Sequence, residues 1–269
     1  MKTIKSILLL AAFLLYSILS IAQQDTTVFA IVETMKATQG KAAEYVKAEK
    51  EVWKKIHQDR LKQGLILGWY FYEVKYPSGT TAPYDYVTVT FMRGLKRVEH
   101  PYGTLQFSDF SKMLNPEQLK VAQIIEQLRN LTTRSLYYTI DYVQADPKAT
   151  VPAKFQMINQ MKVKQGMGDA YVDTELKVVK PVFVEMMKTK TTGRAGWGLY
   201  GLSLPGGDNQ VANYITSDFY NSMEDISKDT GYQKALDKMS MTVAEFSRKI
   251  NEARVLINQE LWELLDYAR

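Results

Sequence analysis

The sequence predicts an α+β protein of two tandem β-α-β-β-α-β units whose sheets pack together as one eight-stranded barrel inside a single chain. Three observations carry this expectation. The stretch MKATQGKAAEYVKAEKEVWK at 35–54 returns as MKVKQGMGDAYVDTELKVVK at 161–180, a shift of 126, with nine of the twenty positions identical. The match resumes at a shift of 128: Gly68-Trp69 lies over Gly196-Trp197, Tyr72 over Tyr200 and Pro77 over Pro205, and it runs on through Tyr86, Thr88 and Phe91 over Tyr214, Thr216 and Phe219. A period of about half the chain means two similar units rather than a solenoid. The third observation is that the strands are apolar or aromatic on both faces. Helices cover only one face of such a sheet, so each copy must cover the other's second face.

The elements follow in order. VFAIVETM, from Thr27, alternates with apolar residues on both faces and reads as a covered strand. Gln39-Gly40 breaks the run. Lys41 to Lys62 then carries an apolar stripe of Ala42, Tyr45, Val46, Val52, Trp53 and Ile56 at helical spacing, and Gly64 sits where a helix-ending glycine belongs. Ile66 to Lys75 is an aromatic-rich strand, Pro77-Ser78-Gly79 a turn, and Tyr84 to Met92 the hairpin partner. Residues 94–107 read as irregular, with a second helix over Glu117 to Leu131 and a fourth strand over Leu136 to Val143.

The second copy repeats the scheme with a strand at 154–163, a helix at 167–189, a strand at 195–204, a turn at Gly206-Gly207-Asp208 and a strand at 211–219. Its second helical region is broken, with a piece near 222–238 and a helix from Thr242 to Glu252. Leu256 to Tyr267 reads as the last strand, although QELWELLDYA also suits a helix. The order is the ferredoxin-like one. The expected organisation is 1–22 signal peptide, 23–145 first unit, 146–153 linker and 154–269 second unit, because QADPKATVPA carries two prolines between the copies.

Lys2 and Lys5, the apolar run Ile7 to Ala22 and the small-x-small Ser20-Ile21-Ala22 form an export signal with a cleavage site. The run falls short of the ~20 residues a spanning helix needs. The expected location is therefore periplasmic or secreted, with no membrane partner after cleavage. No cysteine occurs, which excludes disulfides, lipoprotein attachment and thiolate metal sites. Loss of the two leader lysines takes the formal charge from +5 to +3, too mild and too scattered for a nucleic-acid surface. Asn130-Leu131-Thr132 is a formal sequon, read as coincidental beside a bacterial-style leader.

Given this topology and the segment KAAEYVKAEKEVWKKIH…GLILGWYFYEV, the chain resembles the dimeric α/β-barrel proteins. That group holds antibiotic-biosynthesis-type monooxygenases, haem-degrading and chlorite-dismutase-like enzymes, and small proteins of no known activity. The segment is also similar to an uncharacterised group of exported proteins from Bacteroidetes-type bacteria. The resemblance implies the fold over nearly all of the mature chain. It carries over no catalytic residue, since active residues differ among the branches and no branch motif is present.

Two residues are candidate catalytic groups. Glu49 lies on the apolar stripe, and Glu175 holds the same place in the second copy. A carboxyl on a buried face needs a partner. It is either a general base with a raised pKa facing the barrel or a cleft, or a structural group bonded to Tyr45, a backbone donor or a lysine. His57 continues the ridge Glu49, Trp53, His57 and has the chemistry of a haem ligand or an acid/base; the plain alternative is a helix-border histidine. Its counterpart is Phe183.

Candidate ligand-binding residues are Trp53, Trp69, Tyr72, Glu175, Trp197 and Tyr200. The tryptophans and tyrosines are read either as an aromatic pocket or as core. Two histidines and no cysteine leave no metal site to expect, and no motif requires a cofactor. Three functional readings stand. The first is an exported protein binding a small apolar or aromatic ligand in or beside the barrel. The second is a cofactor-independent or haem-dependent oxygenase-type enzyme, and the third a structural or interaction protein with a filled barrel. The expected assembly is a monomer with a pseudo-twofold axis or a homodimer.

Overall fold

Alternating side chains make β1 (Val28–Ala37) a two-faced strand. Phe29, Ile31 and Met35 turn to the helices, and Ala30 and Val32 turn the other way. In the computed structural model, residues 26–207, 210–228 and 231–269 are described. The signal segment 1–22 and Asp208 of the expected turn lie outside the described residues. The first unit continues with α1 (Ala42–Ala48), a π-helical turn at Glu49–Trp53 and α2 (Lys54–Lys62). Gly64 follows the helix at φ 64°, a left-handed conformation that glycine adopts without a Cβ clash.

Strands β2 (Gly68–Tyr76) and β3 (Tyr86–Arg93) form the hairpin. The stretch expected to be irregular contains α3 (Leu95–Glu99), followed by α4 (Phe110–Met113). The second helical region is shorter than expected. It comprises α5 (Pro116–Gln123), held by an Asn115–Gln118 capping box, and α6 (Ile125–Leu128). Arg129, Asn130 and Leu131, which the helical stripe had absorbed, already belong to β4 (Arg129–Gln144). Pairing with β1 overrides their helical spacing: Met35 faces Leu131 and Ala37 faces Arg129.

The second unit has β5 (Phe155–Val163), α7 (Gly168–Thr174), a π-helical turn at Glu175–Val179, α8 (Lys180–Lys188), β6 (Arg194–Leu204) and β7 (Tyr214–Tyr220). Its broken helical region resolves into α9 (Met223–Ile226), α10 (Tyr232–Lys238) and α11 (Val243–Ala253), the last opened by a Thr242–Glu245 capping box. The terminal segment is a strand, β8 (Arg254–Ala268), and not a continued helix.

All neighbouring strands are antiparallel, and the order β1-β3-β2-β8-β5-β7-β6-β4 closes on itself as a barrel. Within it, each half keeps one order, β4-β1-β3-β2 and β8-β5-β7-β6. The closure is made edge to edge rather than by one sheet stacking on the other. Strand β4 pairs with β1 through residues 129–138 and with β6 through 136–144. Strand β8 pairs with β5 through 254–263 and with β2 through 261–268. The two longest strands thus change partners midway and join the halves, so no sheet edge is left open.

Three apolar layers result. Two lie between the sheet and the helices of each half, around Trp69 and Phe71 in the first and around Trp197, Leu199 and Met186 in the second. The third is inside the ring, where Ala30, Tyr72, Val74, Val87, Val89, Ile158 and Trp262 meet.

Candidate functional site

The interior of the ring is plugged at one end and hollow at the other. The plug is built on Glu260, 4% exposed, whose carboxyl oxygens accept from Tyr84 Oη at 2.7 and 2.8 Å, Trp262 Nε1 at 2.8 Å, Asn258 Nδ2 at 2.9 Å and Gln160 Nε2 at 3.0 Å. A buried acid so fully bonded is a structural knot that closes that end. Burial, and then Glu260 beside it, push the Tyr84 phenol far up, so it stays protonated and donates.

Beyond the plug lies a cavity of about 880 Å³. Its wall is Ala30 and Val32 of β1, Tyr70 and Tyr72 of β2, Val89 and Phe91 of β3, Tyr137 and Thr139 of β4, Gln156 and Ile158 of β5, Tyr200 of β6, Ser217 and Phe219 of β7, and Trp262 of β8. Every strand of the ring contributes. The mouth is framed by the end of β4 and the linker, residues 144–146 and 149–153, by 192–195, and by Asp225 and Arg269. Arg269 Nη2 donates to the Ala149 carbonyl at 2.8 Å, which ties the C-terminus to the linker.

The wall is aromatic and neutral. Burial, and then neighbouring phenols, hold Tyr72 well above its ordinary value; burial pushes Tyr137 up to about 12 and also raises Tyr142 and Tyr200. These hydroxyls remain protonated at physiological pH. The charged groups lining the cavity stand at its mouth: Asp146, Arg194, Asp225 and Arg269. Arg194 is engaged there, donating to Asp218 Oδ1 at 3.0 Å and lying over the Phe183 ring at 4.1 Å. Two buried polar atoms of the wall have no hydrogen-bond partner, the Gln156 amide oxygen and the Thr139 hydroxyl.

Of the residues singled out in the sequence, Tyr72 and Tyr200 line the cavity. Glu49, Trp53, His57, Trp69, Glu175 and Trp197 do not; they belong to the layers between helix and sheet. The four strand aromatics therefore form no common pocket. Trp69 and Tyr72 are three residues apart on a strand, as are Trp197 and Tyr200, and an odd spacing sends them to opposite faces. Tyr70, Tyr137, Gln156 and Trp262 were missed. The same parity counted from Tyr72 finds Tyr70, but Tyr137 and Trp262 needed β4 and β8 to be placed in the ring first.

The helix-side residues make their own arrangement. Glu49 is 6% and Glu175 1% exposed, and each begins a π-helical turn, where one residue beyond the α-helical count is accommodated. Burial raises each carboxyl to about 7. The Tyr45 hydroxyl and then Arg129 oppose the rise at Glu49; Arg254 and then the Tyr171 hydroxyl oppose it at Glu175. Arg254 Nε stands 3.7 Å from Glu175 Oε1. The Tyr45 and Tyr171 hydroxyls and the Arg129 and Arg254 Nε atoms close no hydrogen bond of good geometry.

His57 is buried and stacked on Trp69 with ring centroids 4.8 Å apart. Its Nδ1 accepts from Arg60 Nη1 at 2.8 Å. Arg60 also donates to the Pro101 carbonyl and covers the Tyr102 ring. Burial, and then the Arg60 charge, push the His57 pKa well down, so the ring is neutral. One ring nitrogen is committed, and the ring is packed away from the cavity. Among the described residues the cavity wall has no histidine or methionine, so a haem iron would meet only phenols, hydroxyls and an amide there. That donor set does not fit a histidine-held haem.

No family profile and no curated relative matches the chain. Among solved structures, a candidate monooxygenase from Fusobacterium nucleatum is similar at TM-score 0.55 and 11% identity, over 91% of this chain and 94% of that one. A candidate monooxygenase from Lactobacillus acidophilus NCFM is similar at TM-score 0.52 and 11% identity, over 90% and 96%. A chlorite dismutase from Candidatus Nitrospira defluvii reaches 0.49 at 11% identity, over 91% and 93%. The two likenesses above a TM-score of 0.5, each over nine-tenths or more of both chains, show a shared fold. At these identities the likeness is one of fold.

Proposed function

We propose that this protein binds a small apolar or aromatic molecule inside the barrel. The observation that carries the reading is the cavity of about 880 Å³, enclosed by all eight strands and lined by tyrosine, phenylalanine, tryptophan and aliphatic side chains. That volume is in the range of ligand sites, which are largely apolar with a few placed polar groups. A hollow of this size also argues against a barrel filled for purely structural ends, since interiors otherwise pack to the density of organic crystals. The oxygenase-type alternative draws on the fold alone, because Glu49 and His57 face away from the cavity. Export rests on the leader at 1–22, and its mark would be a mature N-terminus at Gln23 in protein isolated from its own cells.

The test is a titration with the neutral fluorophore N-phenyl-1-naphthylamine, on the natural chain and on Ala30→Trp. Ala30 lies 2% exposed on the cavity wall, and an indole there fills the hollow. Saturable 1:1 binding, weakened at least about tenfold by Ala30→Trp, is the expected result. Binding that is indifferent to this substitution would place the ligand elsewhere and end the proposal.

A further inference from the structure

The acid that closes the inner end of the cavity is a buried charge with no counter-charge. Glu260 is 4% exposed, and every residue bonded to its carboxyl is neutral: Tyr84, Trp262, Asn258 and Gln160. Both of its oxygens accept, and the indole N–H of Trp262 can only donate. The carboxyl is thus held in its ionised form. No ion pair among the described residues includes it. A carboxylate in a low-dielectric interior is unfavourable unless a cation stands near it. The fold does not ask for an acid at this place. Glu260 pairs with Ile158 on β5, while at the matching place in the first half Ser135 pairs with Val32 on β1.

The charge acts on the cavity through its wall. Ile158, Tyr137 and Trp262 all line the hollow. Ile158 is the strand partner of Glu260, Trp262 carries the N–H that bonds it, and burial and then Glu260 raise the Tyr137 phenol. The rings of Tyr72 and Trp262 stand 5.7 Å apart, tilted by 47°. Aromatic faces attract cations, and indole does so most strongly. Donation of the indole N–H to a carboxylate polarises that ring further in the same sense. At the mouth, by contrast, Asp146 and Asp225 balance Arg194 and Arg269. The inner end therefore sets the sign of the field inside the barrel.

We infer, building on the barrel-binding reading, that the ligand is an organic cation, a quaternary ammonium with an apolar body, whose charge sits against Trp262 and Tyr72 at the Glu260 end. The Glu260 oxygens are already engaged by four neighbours, so the N–H groups of a primary ammonium would go unmatched there. A quaternary nitrogen has none to match. Glu260 touches no ligand in this arrangement. It sets the preference for a cation through Trp262, while the aromatic wall holds the apolar body.

Displacement of N-phenyl-1-naphthylamine by phenyltrimethylammonium and by tert-butylbenzene tests this, since the two have nearly one shape and differ in charge. The natural protein should hold the cation about tenfold more tightly than its neutral isostere. In Glu260→Gln, which keeps the side-chain volume, tert-butylbenzene should bind as before and the preference should fall to about twofold or less. Trp262→Leu should lose the preference as well, and circular dichroism verifies the fold of each variant. Should neither variant fold, the comparison on the natural chain decides alone. If the cation displaces the probe no better than tert-butylbenzene, or its advantage survives in a folded variant, the cation assignment is wrong and the barrel-binding reading stands. If N-phenyl-1-naphthylamine itself does not bind the natural protein, the barrel-binding reading falls and takes this inference with it.

Discussion

Glu49 and Glu175 are the residues at which burial and charge conflict most directly. Both carboxyls lie against the sheet, and burial lifts their pKa from an ordinary 4.5 to about 7. A carboxyl whose folded pKa is raised makes the folded state bind more protons than the unfolded chain between those two values. The contribution of these two carboxyls to stability is therefore fullest below about pH 4.5, declines as pH rises towards 7, and levels above it. Glu49→Gln keeps the shape and removes the charge. It should be near neutral in urea unfolding at pH 5 and stabilise at pH 8 by about 1–3 kcal/mol, the ceiling being set by the size of the rise. Glu175→Gln should gain less, because it also leaves the half-buried Arg254, 3.7 Å away, without its charge partner. A loss of stability at pH 8 in Glu49→Gln would show that the ionised form is what the fold holds. Parity was the signal most easily read at this scale: Tyr72 and Tyr200 reach the cavity, while Trp69 and Trp197, three residues away on the same strands, reach the helices.

Strands β4 and β8 are the elements on which the ring depends. The last residues of β8 serve the other half of the molecule: Leu264 pairs with Tyr72, Asp266 with Phe71, Tyr267 with Tyr70 and Ala268 with Trp69. Asp266 also holds Lys54 of α2 at 2.6 Å. Deleting Leu264–Arg269 would strip one edge of β2 and open the cavity to water. The expected outcome is loss of N-phenyl-1-naphthylamine binding and self-association on size exclusion, since an uncovered strand edge recruits another. A truncated chain that stays monomeric, with unchanged melting and ligand binding, would contradict this role for β8. Helical spacing alone carried the second helix through to Leu131, because Leu119, Ala122, Ile125 and Leu128 continue smoothly into it. Only the partner β1 decides that the chain is extended from Arg129, for there the ladder bonds outweigh local propensity. The π-helical turns at Glu49–Trp53 and Glu175–Val179 had no signature beyond the repeat itself, since an extra residue in a helix shows up only in how its two ends dock.

At the scale of the whole molecule, the chain behaves as a dimer made covalent. Each half supplies two edges, β2 and β4 from the first, β6 and β8 from the second, and each edge is met by the other half. Residues 26–150 made alone should therefore pair with a second copy, β4 of one taking the place of β8 against β2 of the other. Sedimentation equilibrium should give twice the monomer mass; a stable, folded monomer would refute the edge-to-edge account.

By itself the sequence determined the duplication, the β-α-β-β-α-β order, nearly every strand and first-helix position, and the need for each half to cover the other. These rest on local periodicity and on a repeat that can be read without coordinates. The tertiary structure decided what the pattern leaves open. It joined the sheets by their edges and plugged one end of the ring with Glu260. It sent Glu49 and His57 into the helix layer and left a hollow inside the ring. The physical reason is that a strand's alternation fixes which residues share a face, while which face becomes a cavity depends on partners far away in the chain. Glu260 and its donors Tyr84, Gln160 and Trp262 come from two strands and a loop, and only closure of the ring brings them together.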